Sequence, residues 1–356
     1  MQMRKNRKQK PGRGFAFTFP TFRERRGPDD LISNLPLKPP MQKENTVPFC
    51  TYFPVKFKGI RVFPGSIFFL TLLLTLLHRV DAQSLNPIKT EDVAFSSEGV
   101  RLAGTLFRPE HPHAAVVIVH GSGQERRMGG FATLLAETGI TVLTYDKRGV
   151  GESGGTYAGP EVGTNNIDSG NLALLAKDAR AAVDLLHQQD PNTPIGLVGF
   201  SQAGWIIPIA AKDNPLVEFM VLFSCPTINT LEQLRFQFYT DGRADFWDTH
   251  TESDAREHIR NDPDRYQFAS TDPKDALRTL AIPGLWLFGE RDIQIPVKLC
   301  LEQINALKVQ GKSFEYALFP TLGHNTAFAN DAAPVAISIH WIKQIALNIN
   351  KKSRKN

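Results

Sequence analysis

From about residue 90 onwards, apolar residues come in short, nearly unbroken runs separated by stretches of helical spacing. Residues 93–95 and 100–107 flank the polar tripeptide at 97–99 and predict an opening antiparallel hairpin. Residues 114–119, 140–145, 195–200, 219–223, 284–288 and 314–319 have the near-continuous hydrophobicity of strands buried on both faces. Between them, residues 131–137, 172–188, 297–307 and 332–349 predict helices. In the second of these, Leu172, Ala176, Ala179, Val183 and Leu186 fall on one stripe. Residues 149–166 form a glycine-rich loop. Residues 227–281 break the rhythm, being polar with aromatics at Phe236, Phe238, Tyr239, Phe246 and Trp247. Strand–helix alternation without internal repeats predicts an α/β fold whose mostly parallel sheet carries helices on both faces.

The pattern upstream is different. Residues 66–77 are an apolar run too short to span a bilayer comfortably, which takes about 20 residues. Lys56, Lys58 and Arg61 precede it, and Val80 and Ala82 make a small-residue cleavage pattern ahead of Gln83. This predicts a secretory signal peptide over 66–82, cleaved near Ala82, and a secreted or periplasmic product with no stable membrane span. The alternative is an uncleaved anchor at residues 66–77. No cysteine follows the run, which argues against a lipoprotein. Residues 1–65 form a basic, proline-rich leader without apolar periodicity. They are either a disordered arm or lie upstream of a start nearer the apolar run. The folded domain is expected over 83–356, with an insertion at about 227–281.

Charge follows the same division. The formal charge is +5, but residues 1–82 carry 15 Lys and Arg against 5 Asp and Glu, leaving 26 against 31 in the body. The body is therefore mildly acidic and has no nucleic-acid footprint. Its two cysteines, Cys225 and Cys300, lie far apart in sequence and are expected as unpaired core residues, although export permits a disulfide.

Candidate chemistry clusters just past the C-terminal ends of the predicted strands, where open α/β sheets bind ligands. Gly199-Phe200-Ser201-Gln202-Ala203 follows one strand and leads into an apolar helix, so Ser201 sits at the apex of a tight turn. Such a turn lifts a hydroxyl clear of the backbone above a helix N-terminus. His120-Gly121-Ser122-Gly123 ends the strand at 114–119, and the N–H groups of Ser122 and Gln202 are the expected oxyanion donors. Gly289-Glu290-Arg291-Asp292 ends the strand at 284–288. Asp292 is preferred there over Glu290 because its short side chain is positioned more tightly and apolar residues follow it. Leu322-Gly323-His324 follows the strand at 314–319 and places a histidine within reach of both Ser201 and Asp292. His340 lies inside the last predicted helix beside Trp341, where packing is expected.

Ser201, Asp292 and His324 occur in the chain order associated with α/β-hydrolases. Residues 90–350 resemble that superfamily, most closely the bacterial serine esterases and the serine-aminopeptidase-like hydrolases. Tyr145-Asp146-Lys147-Arg148-Gly149-Val150-Gly151-Glu152-Ser153 is similar to the family's D-x-R-G-x-G-x-S loop. The final glycine of the family's G-x-S-x-G is Ala203 here, with Gly204 just behind it. The resemblance implies an α/β-hydrolase fold, a triad of Ser201, Asp292 and His324, and a small helical cap over 227–281. Proline iminopeptidases look different, with H-G-G-P-G and G-G-S-W-G at the corresponding motifs.

The expected reaction is acyl transfer on a small-molecule ester or short peptide, without a cofactor or metal. Two motifs mimic other chemistry. Gly149-Val150-Gly151-Glu152-Ser153-Gly154 formally matches a dinucleotide fingerprint, but loop sequence rather than a helix follows it. His111-Pro112-His113 lacks the further ligands of a metal site. An exported carboxylesterase, an aminopeptidase or acyl-peptide hydrolase, and a silent binding protein on the same scaffold remain distinct readings. The cap aromatics could contact an apolar acyl group or pack the cap. Its acids, Glu232, Asp241, Asp245, Asp248 and Glu252, could hold a peptide amino terminus or form a solvated face.

Overall fold

The computed structural model describes residues 87–159, 164–261 and 268–353. The leader, the apolar run at 66–77 and the expected cleavage site lie outside the described residues. Strands β1 (Ile88–Ser97) and β2 (Val100–Pro109) form the opening hairpin, longer at both ends than the apolar pattern predicts. Its turn uses Glu98 and Gly99, both with positive φ. The chain continues through β3 (Ala114–Val119), α1 (Gly129–Glu137), β4 (Ile140–Tyr145), α2 (Thr164–Ile167) and α3 (Ser169–Gln189). Next come β5 (Ile195–Phe200), α4 (Ala203–Lys212) and β6 (Val217–Phe223). The insertion follows as α5 (Thr230–Thr240), α6 (Phe246–Thr249), α7 (Glu252–Asn261) and α8 (Lys274–Leu277). The domain closes with β7 (Gly284–Gly289), α9 (Val297–Val309), β8 (Phe314–Phe319) and α10 (Ala333–Ser353).

The strands form one sheet in the order β1-β2-β4-β3-β5-β6-β7-β8. The pairs β1–β2 and β2–β4 are antiparallel, and every pair from β4 to β8 is parallel. Side chains alternate across the sheet, so each strand feeds two cores. Val117 and Val119 of β3 face the layer of α3 and α4, while Val116 and Ile118 face that of α1 and α10. The predicted stripe of α3, from Leu172 to Leu186, is buried along its length. The chain runs from β3 to β4 on one side and returns to β5 on the other. The sheet therefore has its switch point between β3 and β5, where ligand crevices form.

The structure answers one open alternative and overturns one expectation. The cap aromatics Phe236 and Phe246 are buried with Ala255 and Ile259, in a cluster onto which Ile293 and Leu299 also pack. His340 is exposed rather than packed against Trp341. On α10 the buried stripe runs through Ser338, Trp341, Ile342 and Ala346, and residue 340 falls outside it. Among the described residues no helix is long and apolar enough to cross a membrane.

Candidate active site

The turn between β5 and α4 is built as a sharp elbow. Ser201 has φ +48, a conformation that costs a side-chain-bearing residue about 1–3 kcal/mol and is held by its surroundings. The Ser201 carbonyl accepts from Gly204 N–H at 2.9 Å, the first turn of the helix beneath it. A Cβ on Gly199 would lie 2.4 Å from Ala203 Cβ, so glycine is required there. A Cβ on Gly204 would lie 2.5 Å from the Pro226 carbonyl oxygen. The crowding of the motif thus falls on Gly199 and Gly204, and position 203 tolerates a methyl group.

The loop after β3 runs beside this elbow. A Cβ on Gly121 would lie 3.6 Å from Ser201 Cβ, so the loop backbone approaches the serine closely. Among the described residues, neither Ser122 N–H nor Gln202 N–H donates to a backbone carbonyl. Gln202 is buried, and its amide Nε2 donates to Asn166 O at 2.7 Å and Oδ1 at 2.9 Å.

Asp292 and His324 are brought together directly. His324 Nδ1–H donates to Asp292 Oδ2 at 2.8 Å, across 32 residues of sequence. The other carboxylate oxygen accepts from Gln294 N–H at 2.7 Å and Ile295 N–H at 2.9 Å. Asp292 is 0% exposed, while Glu290 at the same strand end is exposed. The carboxylate thus has a partner for each oxygen and holds the imidazole in one tautomer, leaving Nε2 as the free ring nitrogen for a proton transfer.

A family model described as serine aminopeptidase, S33, matches residues 110–247, which include the β3 loop and the elbow but stop before Asp292 and His324. An acylaminoacyl peptidase from Pyrococcus horikoshii superposes with a TM-score of 0.52 at 15% identity, covering 76% of this chain and 42% of that one. An esterase from Pyrococcus furiosus superposes with a TM-score of 0.52 at 19% identity, covering 74% of this chain and 91% of that one. The chain has the α/β-hydrolase fold. An uncharacterized protein of Rickettsia prowazekii is 27% identical over 154 residues, covering 41% of this chain and only 59% of the relative.

The D-x-R-G-x-G-x-S loop is a structural clip. Asp146 accepts from the N–H groups of Arg127 and Glu152, each at 2.9 Å. A Cβ on Gly151 would strike the Asp146 carboxylate at 2.5 Å. Arg148 is buried and paired with Asp178, its Nε donating at 3.0 Å. The glycines therefore serve a tight turn, and no helix opens on residues 149–159 to receive a pyrophosphate.

Several residues of the site escape a reading of sequence motifs. Gly289 is one: a Cβ there would lie 2.2 Å from Gly323 O, so only glycine lets the histidine loop close on the acid strand. The cap contributes others. Trp247 Nε1–H donates to Asp292 O at 2.8 Å, and Gln233 Nε2–H donates to Gln294 O at 2.9 Å. The Thr240 hydroxyl donates to Ile293 O between them. Three of the cap acids are occupied within the structure: Glu232 completes a capping box with Asn229, Asp248 pairs with Arg291, and Glu252 pairs with Arg256. Cys225 and Cys300 are both free and buried.

His120 is also legible only in three dimensions. It is 2% exposed, with Tyr145 edge-on at a centroid distance of 4.9 Å. Burial pushes its pKa down to about 3, with the nearby Lys147 charge acting in the same direction. It is a neutral packing group, unlike His324.

Proposed function

We propose that this α/β-hydrolase is an exported serine hydrolase that cleaves carboxylic esters through an acyl-enzyme. The observation that carries the reading is the His324–Asp292 hydrogen bond at 2.8 Å, at the same edge of the sheet as the strained Ser201 elbow. Ser201 Oγ attacks the ester carbonyl as His324 Nε2 takes its proton. Asp292 orients the imidazole and stabilises its cation. Ser122 N–H and Gln202 N–H receive the oxyanion. His324 then protonates the leaving alcohol, and water, activated by the same imidazole, releases the acid. The sequence of steps balances with water alone and calls for no cofactor.

The substrate class follows from the cap. Its sequence interleaves aromatics with Arg235, Arg243, Asp245, Asp248, Glu252, Asp254, Arg256, Glu257 and Arg260. A lipase working at an oil surface needs a broad apolar face, which this pattern does not offer. Short-to-medium acyl esters fit a pocket of modest size. The second reading is an aminopeptidase or acyl-peptide hydrolase with the same triad, favoured by the S33 description of the matching family model.

A series of p-nitrophenyl esters of increasing chain length, run beside emulsified triolein and an aminoacyl amide, tests the proposal. Turnover of the shorter esters with little on triolein is the expected result. Clear preference for the amide promotes the peptidase reading, and a jump in rate at the emulsion interface favours a lipase. Failure of a fluorophosphonate to label the protein favours the silent binding scaffold. Export is tested by mass spectrometry of material secreted by a bacterial host, with a start at or near Gln83 expected and retention of residues 66–77 pointing to an anchor.

A further inference from the structure

Lys147 occupies the variable position of the D-x-R-G loop and is buried, with 3% exposure. Its ammonium donates to Gly121 O at 2.7 Å, Gly123 O at 3.3 Å and Gln202 Oε1 at 2.9 Å. These acceptors belong to the two segments that carry the proposed oxyanion donors. The Gly121 carbonyl and the Ser122 N–H are the two ends of a single peptide unit. In a trans peptide they point in opposite directions. A cation bound to the carbonyl from behind therefore aims the N–H forward, away from Lys147, and polarises it. The Gln202 side chain, gripped from the same ammonium, fixes the residue that supplies the second donor.

We propose that Lys147 is a positioning residue for acyl transfer, whose ammonium clamps the Gly121–Ser122 peptide to Gln202 and so sets the oxyanion hole. The inference rests on the serine hydrolase reading given above. It adds to that reading a group that touches neither substrate nor Ser201. An ammonium has three N–H donors for its three acceptors. A neutral amine has two, and its lone pair would then face an oxygen. The clamp therefore needs the protonated form.

The surroundings set when that form is lost. Burial lowers the pKa of Lys147 to about 7, and the Glu125 carboxylate on the β3 loop raises it. His120, on the same loop, is already neutral at this pH, since its pKa is near 3. Asp146, preceding Lys147 in the chain, is pushed up by burial but held below its ordinary value by the combined hydrogen bonds from Arg127 and Glu152, which favours its ionised form. Arg148 is committed to Asp178, and Tyr145 is pushed upwards by burial. The elbow and α2 contribute Gln202 and Asn166, which do not titrate. The Tyr157 ring, 5.8 Å from the ammonium, also favours the cation. Activity should accordingly fall on the alkaline side as Lys147 loses its proton.

The test is Lys147→Met, assayed with a short p-nitrophenyl ester across pH 6–9 at roughly half-unit steps. Loss of one oxyanion donor costs about 10²–10³ in kcat, and loss of its support should cost about 10–100-fold. KM should stay within about twofold, because the ground-state carbonyl depends less on the hole. The alkaline limb should disappear. A variant with wild-type kcat and an unchanged alkaline limb overturns the proposal, and so does a loss expressed mainly in KM. Should Lys147→Met fail to fold, Glu125→Gln keeps the question open to measurement. Without that carboxylate the alkaline limb should move to lower pH, and a limb that stays put overturns the clamp. Fluorophosphonate labelling of the wild type separates the two levels. An unlabelled wild type sinks the hydrolase reading and this inference together, whereas a labelled wild type beside an unaffected Lys147→Met sinks the inference alone.

Discussion

The two halves of the candidate site are held by different means. The elbow half, with Ser201, Gln202 and the Gly121 loop, is secured from inside the sheet domain. A strained backbone, two crowded glycines and a buried lysine fix it. The acid–base half, with Asp292 and His324, sits where β7 and β8 end, and its acid loop is gripped from outside by the cap through Trp247, Thr240 and Gln233. The lesson is that a segment expected to shape a substrate pocket also supports the acid. Its hydrogen bonds go to three consecutive carbonyls of the loop that carries Asp292. Each half also contains a histidine at a strand end, one buried without a carboxylate and one bonded to Asp292, and their environments give them opposite work.

Substitutions that remove a reacting group should dominate. Ser201→Ala should lower kcat by roughly 10⁴–10⁶ and abolish fluorophosphonate labelling. Near-normal turnover in a clean preparation would remove the elbow from the chemistry. Asp292→Asn should cost about 10²–10⁴ in kcat with an unchanged melting temperature, and Glu290→Gln should be nearly silent. The reverse pattern would transfer the acid to the exposed side chain.

A smaller effect probes the grip of the cap. Trp247→Phe keeps the ring packing and deletes one hydrogen bond to the Asp292 carbonyl, a net loss of about 1 kcal/mol. If the cap positions the acid, kcat should fall about fivefold with KM little changed. A change confined to KM would return the cap to a purely substrate-binding role.

A separate effect concerns stability rather than rate. In the unfolded chain His120 gains a proton below its ordinary value of 6.5, whereas in the folded protein it stays neutral until about 3. The unfolded state therefore binds more protons in that window, and stability should fall as the pH drops from 6.5 towards 3. Thermal melts of His120→Asn beside the wild type should show a shallower decline over the window. Parallel curves would mean that the ring is already hydrated in the native protein.

Much of this architecture was legible in the sequence because strand and helix periods are local. The runs at 114–119, 140–145, 195–200 and 314–319 are strands with the same limits as their hydrophobicity. The stripe of α3 follows from spacing alone. The Ser201 elbow was legible too, since G-x-S-x-A between a strand and a helix is a local motif. So was the choice of Asp292 over Glu290 as the buried carboxylate, which rested on side-chain length and the apolar residues after it.

What the chain could not declare is what depends on contacts between distant segments. His340 lies on the exposed side of α10 because its helical phase relative to the core is set by what α10 packs on. The need for glycine at position 289 arises from the backbone of Gly323, and the clamp of Lys147 from carbonyls 24 and 26 residues away and a side chain 55 residues away. The reach of the cap onto the acid loop spans 45 residues or more. Local sequence determined the elements and the order in which reactive groups meet the sheet edge, because backbone propensity and amphipathic burial act over a few residues. The tertiary structure decided which groups are desolvated, which are clamped and which are left to water, because burial and charge pairing belong to the assembled neighbourhood.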